Sequence, residues 1–71
     1  MDKIVRDFGN MIRERRIEKG LSQDEVAKKL NISQQAYGRY ELGKREPGLQ
    51  TIMQLAEILD FSAGDFFNSY L

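Results

Sequence analysis

The sequence predicts an all-α domain, a compact bundle of five helices, and three observations carry that reading. Serine-headed helix starts recur at Ser22, Ser33 and Ser62; apolar residues repeat at three-to-four spacing through the segments between them; and no stretch alternates polar with apolar as a half-buried strand would. A chain of 71 residues buries only about 60% of its unfolded surface, enough for one modest core and no second domain. A single domain over residues 1–71 follows.

The first helix is expected from about Lys3 to Lys19, because Val5, Phe8, Ile12 and the stems of Arg15 or Arg16 share one face and Gly20 is placed to stop it. Gly9 lowers its propensity slightly. Ser22 heads the second helix, about Gln23 to Leu30. Its hydroxyl reaches the free N–H three residues on while Glu25 reaches back, with Leu21 and Val26 closing a hydrophobic staple. Val26, Ala27 and Leu30 face inward, and Asn31 suits a left-handed turn. Ile32, Ser33 and Tyr37 repeat this start without the reciprocal acid, since Ala36 stands where the box needs one, and the third helix runs from about Gln34 to Leu42 before Gly43. Pro47 has no N–H and marks a loop over Lys44 to Gly48. The fourth helix, about Leu49 to Leu59, carries Ile52, Leu55, Ala56 and Leu59 on one stripe. Phe61, Ser62, Asp65 and Phe66 open a short fifth, about Ala63 to Ser69.

Composition narrows function before any motif does. There is no His and no Cys, which removes zinc sites, Ser-His and Cys-His nucleophiles, disulfides and thiol redox chemistry; an enzyme and a cofactor are not expected. The start MDKIVRDF lacks the apolar run of a signal peptide, and nowhere do enough apolar residues follow one another to span a membrane. A cytoplasmic protein without membrane partners is the expectation. Net charge is zero, which alone argues weakly against a polyanion partner. The distribution reverses that argument: residues 1–46 hold all 11 bases against 8 acids, and residues 47–71 hold three acids and no base. One end of the molecule is a candidate polyanion face.

The second and third helices are about two turns each and are joined only by Asn31, Ile32 and Ser33, so they must cross steeply as a helix-turn-helix over residues 23–42. Ala27 permits close approach, Ile32 plugs the corner, and Tyr37 and Tyr40 turn inward. Gln34, Gln35, Gly38, Arg39 and Leu42 are left facing solvent.

The stretch from Phe8 to Leu59 resembles the lambda-repressor-like, Xre/Cro type of DNA-binding helix-turn-helix domain. The resemblance rests on GLSQDEVA at Gly20 to Ala27, ISQQAYGRYELGKREP at Ile32 to Pro47 and the apolar pattern of LQTIMQLAEIL at Leu49 to Leu59. Departures are Asn31 for a usual Gly, Tyr37 for Ile or Val, Gly38 for a frequent Ser, and Ala63-Gly64 for a larger apolar residue and an acid. The resemblance implies that Gln34 and Gln35 touch base edges, where a glutamine matches the N6 and N7 of adenine. Arg39, one turn on, offers a fork for guanine O6 and N7 or a grip on a phosphate, and the base contact is preferred. Gln23, at the positive end of the second helix, is a candidate phosphate clamp. Lys44 and Arg45, in a loop that the family lays against the DNA backbone, are further backbone contacts, with Arg13 a weaker one. Arg16 and Glu41 correspond to a pair that the family buries as a structural salt bridge.

Ile58, Phe61, Phe67, Tyr70 and Leu71 exceed what so small a domain buries, and suggest that helices four and five, residues 49–71, form a dimer interface. The expectation is a sequence-specific, double-stranded DNA-binding transcriptional regulator. It resembles a dimeric phage Cro-like repressor, or the small controller proteins of restriction-modification systems, on an inverted-repeat operator. The alternatives are a protein-interaction adaptor built on the same bundle, or the DNA-binding fragment of a longer regulator.

Overall fold

A computed structural model describes residues 2–71. Its five helices are α1 (Lys3–Glu18), α2 (Gln23–Leu30), α3 (Gln34–Glu41), α4 (Leu49–Leu59) and α5 (Ala63–Asn68), with no strand among the described residues. Lys19, Leu42 and Ser69, expected as last helical residues, are instead the capping positions just beyond α1, α3 and α5.

Local hydrogen bonding explains where the helices begin. The Ser22 hydroxyl accepts from the Glu25 N–H at 3.0 Å, and the Glu25 carboxylate accepts from the Ser22 N–H at 2.9 Å, completing the capping box. Ser33 accepts from the Ala36 N–H at 3.1 Å and Ser62 from the Asp65 N–H at 3.0 Å, each as a single cap. Asp2 does the same for α1 through the Ile4 N–H, a cap that the sequence reading had not assigned.

The helix ends share another device. Asn31 and Asp60 close α2 and α4 in the left-handed region at φ 60° and 56°. The N–H groups of Ile32 and Phe61 then fold back 3.0 Å onto the carbonyls of Ala27 and Ala56. Gly43 closes α3 at φ +70° and is also crowded, since a Cβ there would lie 2.9 Å from the Arg6 Cα. That position excludes side chains twice over, by dihedral angle and by space.

The core sits between α1, α2, α3 and α4, and its buried residues are Phe8, Ile12, Val26, Ala27, Leu30, Tyr37, Tyr40, Leu55 and Leu59. Val5, Ile52 and Ala56, expected inward, are half-buried at its margin. Gly9 is a packing requirement rather than a weakness: a Cβ would collide with the backbone carbonyls of Tyr40 and Glu41. Its missing side chain lets α1 lie directly against the end of α3. Phe8 gathers the aromatic residues of the C-terminal segment, with ring centroids 6.0 Å from Phe61, 5.4 Å from Phe66 and 6.2 Å from Phe67. The short α5 is therefore held by edge-on and stacked rings rather than by fully buried residues of its own.

Candidate nucleic-acid interface

Helix α3 is placed by what lies at its two ends. At its start the Asn31 turn reverses the chain, and the Ser33 cap orients the first turn so that Gln34 and Gln35 are exposed. At its end Glu41 is buried, with its side chain only 2% exposed, facing Arg16 of α1. Arg16 Nε donates to Glu41 Oε2 at 2.6 Å and its Nη2 to Oε1 at 3.2 Å, while Nη1 donates to the Leu21 carbonyl at 2.9 Å. This is a two-point guanidinium–carboxylate pair, the geometry in which Arg is strongest. Burial works against the Glu41 charge, but the hydrogen bonds from Arg16 and Gln23 outweigh it and hold the carboxyl below its usual range. Tyr37 lies close enough to feel both charges, yet its buried hydroxyl has no hydrogen-bond partner among the described residues. Burial, first, then the neighbouring carboxylate, push its ionisation far above the usual tyrosine range.

Gln23 belongs to the same cluster. Its Nε2 donates to Glu41 Oε1 at 3.0 Å, so one carboxylate ties α3 to α1 through Arg16 and to α2 through Gln23. The amide proposed as a phosphate clamp thus has one N–H committed within the fold and one left to offer.

Gln34, Gln35, Gly38 and Arg39 of α3 and Leu42 just beyond it line a shallow concavity of about 460 Å³, together with Gln23 of α2 and Lys44 of the loop. Five of the seven proposed DNA contacts are therefore brought together on one surface. Arg45 is exposed in the same loop but outside that concavity, and Arg13 is exposed on α1, also outside it. Leu42 is 64% exposed beside the cationic and amide groups. The sequence showed it facing solvent and gave it no role.

The five residues proposed for subunit pairing divide into two sets. Ile58, Phe61 and Phe67 are half-buried and packed against the protein's own core. Tyr70 is 40% exposed and Leu71 wholly so. The Tyr70 hydroxyl donates to the Asp7 carboxylate, which also receives the Lys3 ammonium at 2.7 Å. The hydrogen bond to that carboxylate first, then desolvation of the hydroxyl, push Tyr70 up to about 12. Two apolar side chains one turn apart on α4 are more exposed than any of the first set: Leu49 at 84% and Met53 at 64%. The helical stripe Ile52–Leu55–Ala56–Leu59 indicated which side of α4 faces inward, but said nothing of apolar residues on the other side.

A capped two-helix corner, with a second helix displaying glutamines and an arginine beside a flanking lysine, defines a helix-turn-helix domain. The helix-turn-helix family model matches residues 12–66, and the chain belongs to that family of DNA-binding transcriptional regulators, in its Xre, lambda-repressor-like form. It is 46% identical over 55 residues to the SPbeta prophage-derived uncharacterized HTH-type transcriptional regulator YonR of Bacillus subtilis, covering 78% of this chain and 51% of that protein. It is 38% identical over 50 residues to the cryptic phage CTXphi transcriptional repressor RstR of Vibrio cholerae, covering 70% of this chain and 45% of that one. The chain spans about half the length of these curated relatives. Its fold matches the restriction-modification controller protein C.AhdI of Aeromonas hydrophila with a TM-score of 0.79 and 33% identity, over 94% of this chain and all of that one. Among the described residues, no helix is long and apolar enough to cross a membrane.

Proposed function

We propose that the protein is a cytoplasmic, sequence-specific regulator that binds duplex DNA as a homodimer on an inverted-repeat operator, most simply repressing by occupancy. The observation that carries this reading is the concavity in which Gln34, Gln35 and Arg39 stand exposed beside Lys44. Gln34 and Gln35 read adenine edges, Arg39 reads guanine, and Gln23, Lys44 and Arg45 hold phosphates, with Arg13 reaching the backbone further out. Its similarity to a phage repressor and to a restriction-modification controller supports a regulatory role. One recognition helix covers few base pairs, so two copies are needed, with their helices about 34 Å apart to meet successive turns of the major groove. The pairing surface runs along α4 and α5, which carry the exposed Leu49 and Met53 as well as Ile58, Phe61, Phe67, Tyr70 and Leu71.

The test is selection from randomised duplexes with the purified chain, first at low and then at moderate salt. The expected result is an enriched inverted repeat with half-site centres one helical turn apart, and an affinity falling with salt at a slope of about −0.9 per phosphate neutralised. No enrichment at either salt refutes the proposal and favours the adaptor reading.

A further inference from the structure

A buried hydroxyl at the centre of the domain is left without a hydrogen bond. Tyr37 is fully buried, and its hydroxyl has no partner among the described residues. Burying a hydroxyl unpaired costs stability, and a phenylalanine would fill the same space without that cost. Yet a partner is at hand. Tyr37 and Glu41 stand four residues apart on α3, and a helical side chain leans back over the turn before it, so Glu41 reaches toward Tyr37. Burial first, then the Glu41 carboxylate and, with opposite sign, the Arg16 guanidinium set where the hydroxyl ionises, which puts both groups beside it. Both Glu41 oxygens are already occupied: Oε2 accepts from Arg16 Nε at 2.6 Å, and Oε1 accepts from Arg16 Nη2 at 3.2 Å and from Gln23 Nε2 at 3.0 Å.

Of these donors, Gln23 is the one for which DNA competes. Its side chain borders the concavity of Gln34, Arg39 and Lys44. It also has room to turn over Gly38, where even a Cβ would stay 3.7 Å from the amide oxygen and 3.9 Å from the nitrogen. A phosphate and the Glu41 carboxylate on the two hydrogens of one amide nitrogen would stand only about 5 Å apart, and like charges repel at that separation. A phosphate that takes the amide therefore weakens its hold on Oε1. We infer that Tyr37 is a positioning residue: when the Gln23 amide turns to a DNA phosphate, the Tyr37 hydroxyl donates to the Glu41 oxygen given up, and the carboxylate that orients α3 keeps its donors in the bound state. The inference rests on the phosphate contact proposed above for Gln23 and adds to it an exchange of partners inside the fold.

The experiment has a free arm and a bound arm. Thermal melts compare the effect of Tyr37→Phe in wild type and in Gln23→Ala, where Oε1 has lost the amide without any DNA. In wild type, Tyr37→Phe should leave the melting temperature unchanged or raise it. In Gln23→Ala it should lower it by about 4–8 °C, because the hydroxyl is by then bonded to Glu41. In the bound arm, Tyr37→Phe should weaken binding to the selected duplex by about 3- to 10-fold in wild type and have no effect on binding in Gln23→Ala. With tyrosines carrying ¹³C at Cζ, the resonance that Tyr37→Phe removes should shift when the duplex is added to wild type, a change that a packing role alone does not produce. An equal effect of Tyr37→Phe on the melt in both backgrounds overturns the inference, since the hydroxyl then never replaces the amide. So does a Tyr37 resonance that stays in place while the duplex binds, or a Tyr37→Phe variant that binds as tightly as wild type; neither result depends on the folding of Gln23→Ala. If wild type binds no duplex even at low salt, the proposed function fails and the exchange with it, whatever the melts show.

Discussion

Removing Arg16 tests the central cluster most directly. In Arg16→Met the Glu41 carboxylate, 2% exposed, loses both guanidinium contacts at 2.6 and 3.2 Å and keeps the Gln23 amide at 3.0 Å. Breaking a buried pair from one side costs about 3–5 kcal/mol, because the remaining charge is left buried and uncompensated. A domain of 71 residues has a total stability of roughly 4–11 kcal/mol at typical values per residue. The variant should therefore lose about a quarter or more of its stability, and its melting temperature should fall by at least about 12 °C. Glu41→Met should cost a similar amount. The double variant, with neither charge, should be far more stable than the sum of the two losses predicts, and urea titration of all four proteins measures that coupling. pH adds a signed test. The folded carboxyl lies below its unfolded value of 4.5, so its stabilisation is complete above about that pH and is lost as pH falls toward the depressed folded value. In Arg16→Met the Arg16 hydrogen bonds that lower the carboxyl are gone and the Gln23 amide remains against burial, so the carboxyl should rise from its wild-type value and acidification should narrow the gap to wild type. Additivity of the two single losses within about 0.5 kcal/mol would refute the pairing argument.

Four further outcomes follow from the same geometry. Gly9→Ala should destabilise by about 1–3 kcal/mol in urea titration, although alanine is the better helix former, because its methyl meets the Tyr40 and Glu41 carbonyls; an unchanged or higher midpoint refutes the close approach. In a difference absorbance titration against Tyr70→Phe, Tyr70 should ionise at about 12, and Asp7→Asn should bring it down; no movement would mean the two groups do not meet in solution. Leu49→Glu with Met53→Glu should leave the melt unchanged and shift sedimentation toward monomer, and a dimer that survives both moves the pairing surface elsewhere. Arg39→Ala should weaken binding to the selected operator by roughly 1–3 kcal/mol and relax selectivity at one position; uniform weakening over all sequences would reassign Arg39 to a phosphate.

Sequence reading succeeds here wherever the physics is local. The Ser22–Glu25 box, the single caps at Ser33 and Ser62 and the Asn31 turn are settled by atoms three or four residues apart, so the residue types carry the answer. Family resemblance supplies one distant pair, Arg16 with Glu41. What neither supplies is the role of a residue whose partner is remote and whose own type is unremarkable. Gly9 reads as a helix weakness until α3 is laid against it. Tyr70 reads as spare aromatic surface until Asp7, 63 residues earlier, receives its hydroxyl. Gln23 reads as a free amide until Glu41 takes one of its hydrogens.

The same distinction bears on function. Gln34, Gln35 and Arg39 are the side chains proposed to read bases, and the direction in which α3 presents them depends on Glu41, whose two oxygens are shared between α1 and α2. A carboxylate bonded to both supporting helices resists rotation of α3 about its own axis as well as tilting away from α1, and the tight contact of Gly9 with the Tyr40 and Glu41 carbonyls removes the space in which either motion would begin. Isosteric Glu41→Gln, which keeps the shape and loses the charge, should therefore weaken operator binding even at temperatures where it remains fully folded. The loss should fall on specific more than on non-specific duplexes, since base contacts need the helix in register and phosphate contacts do not.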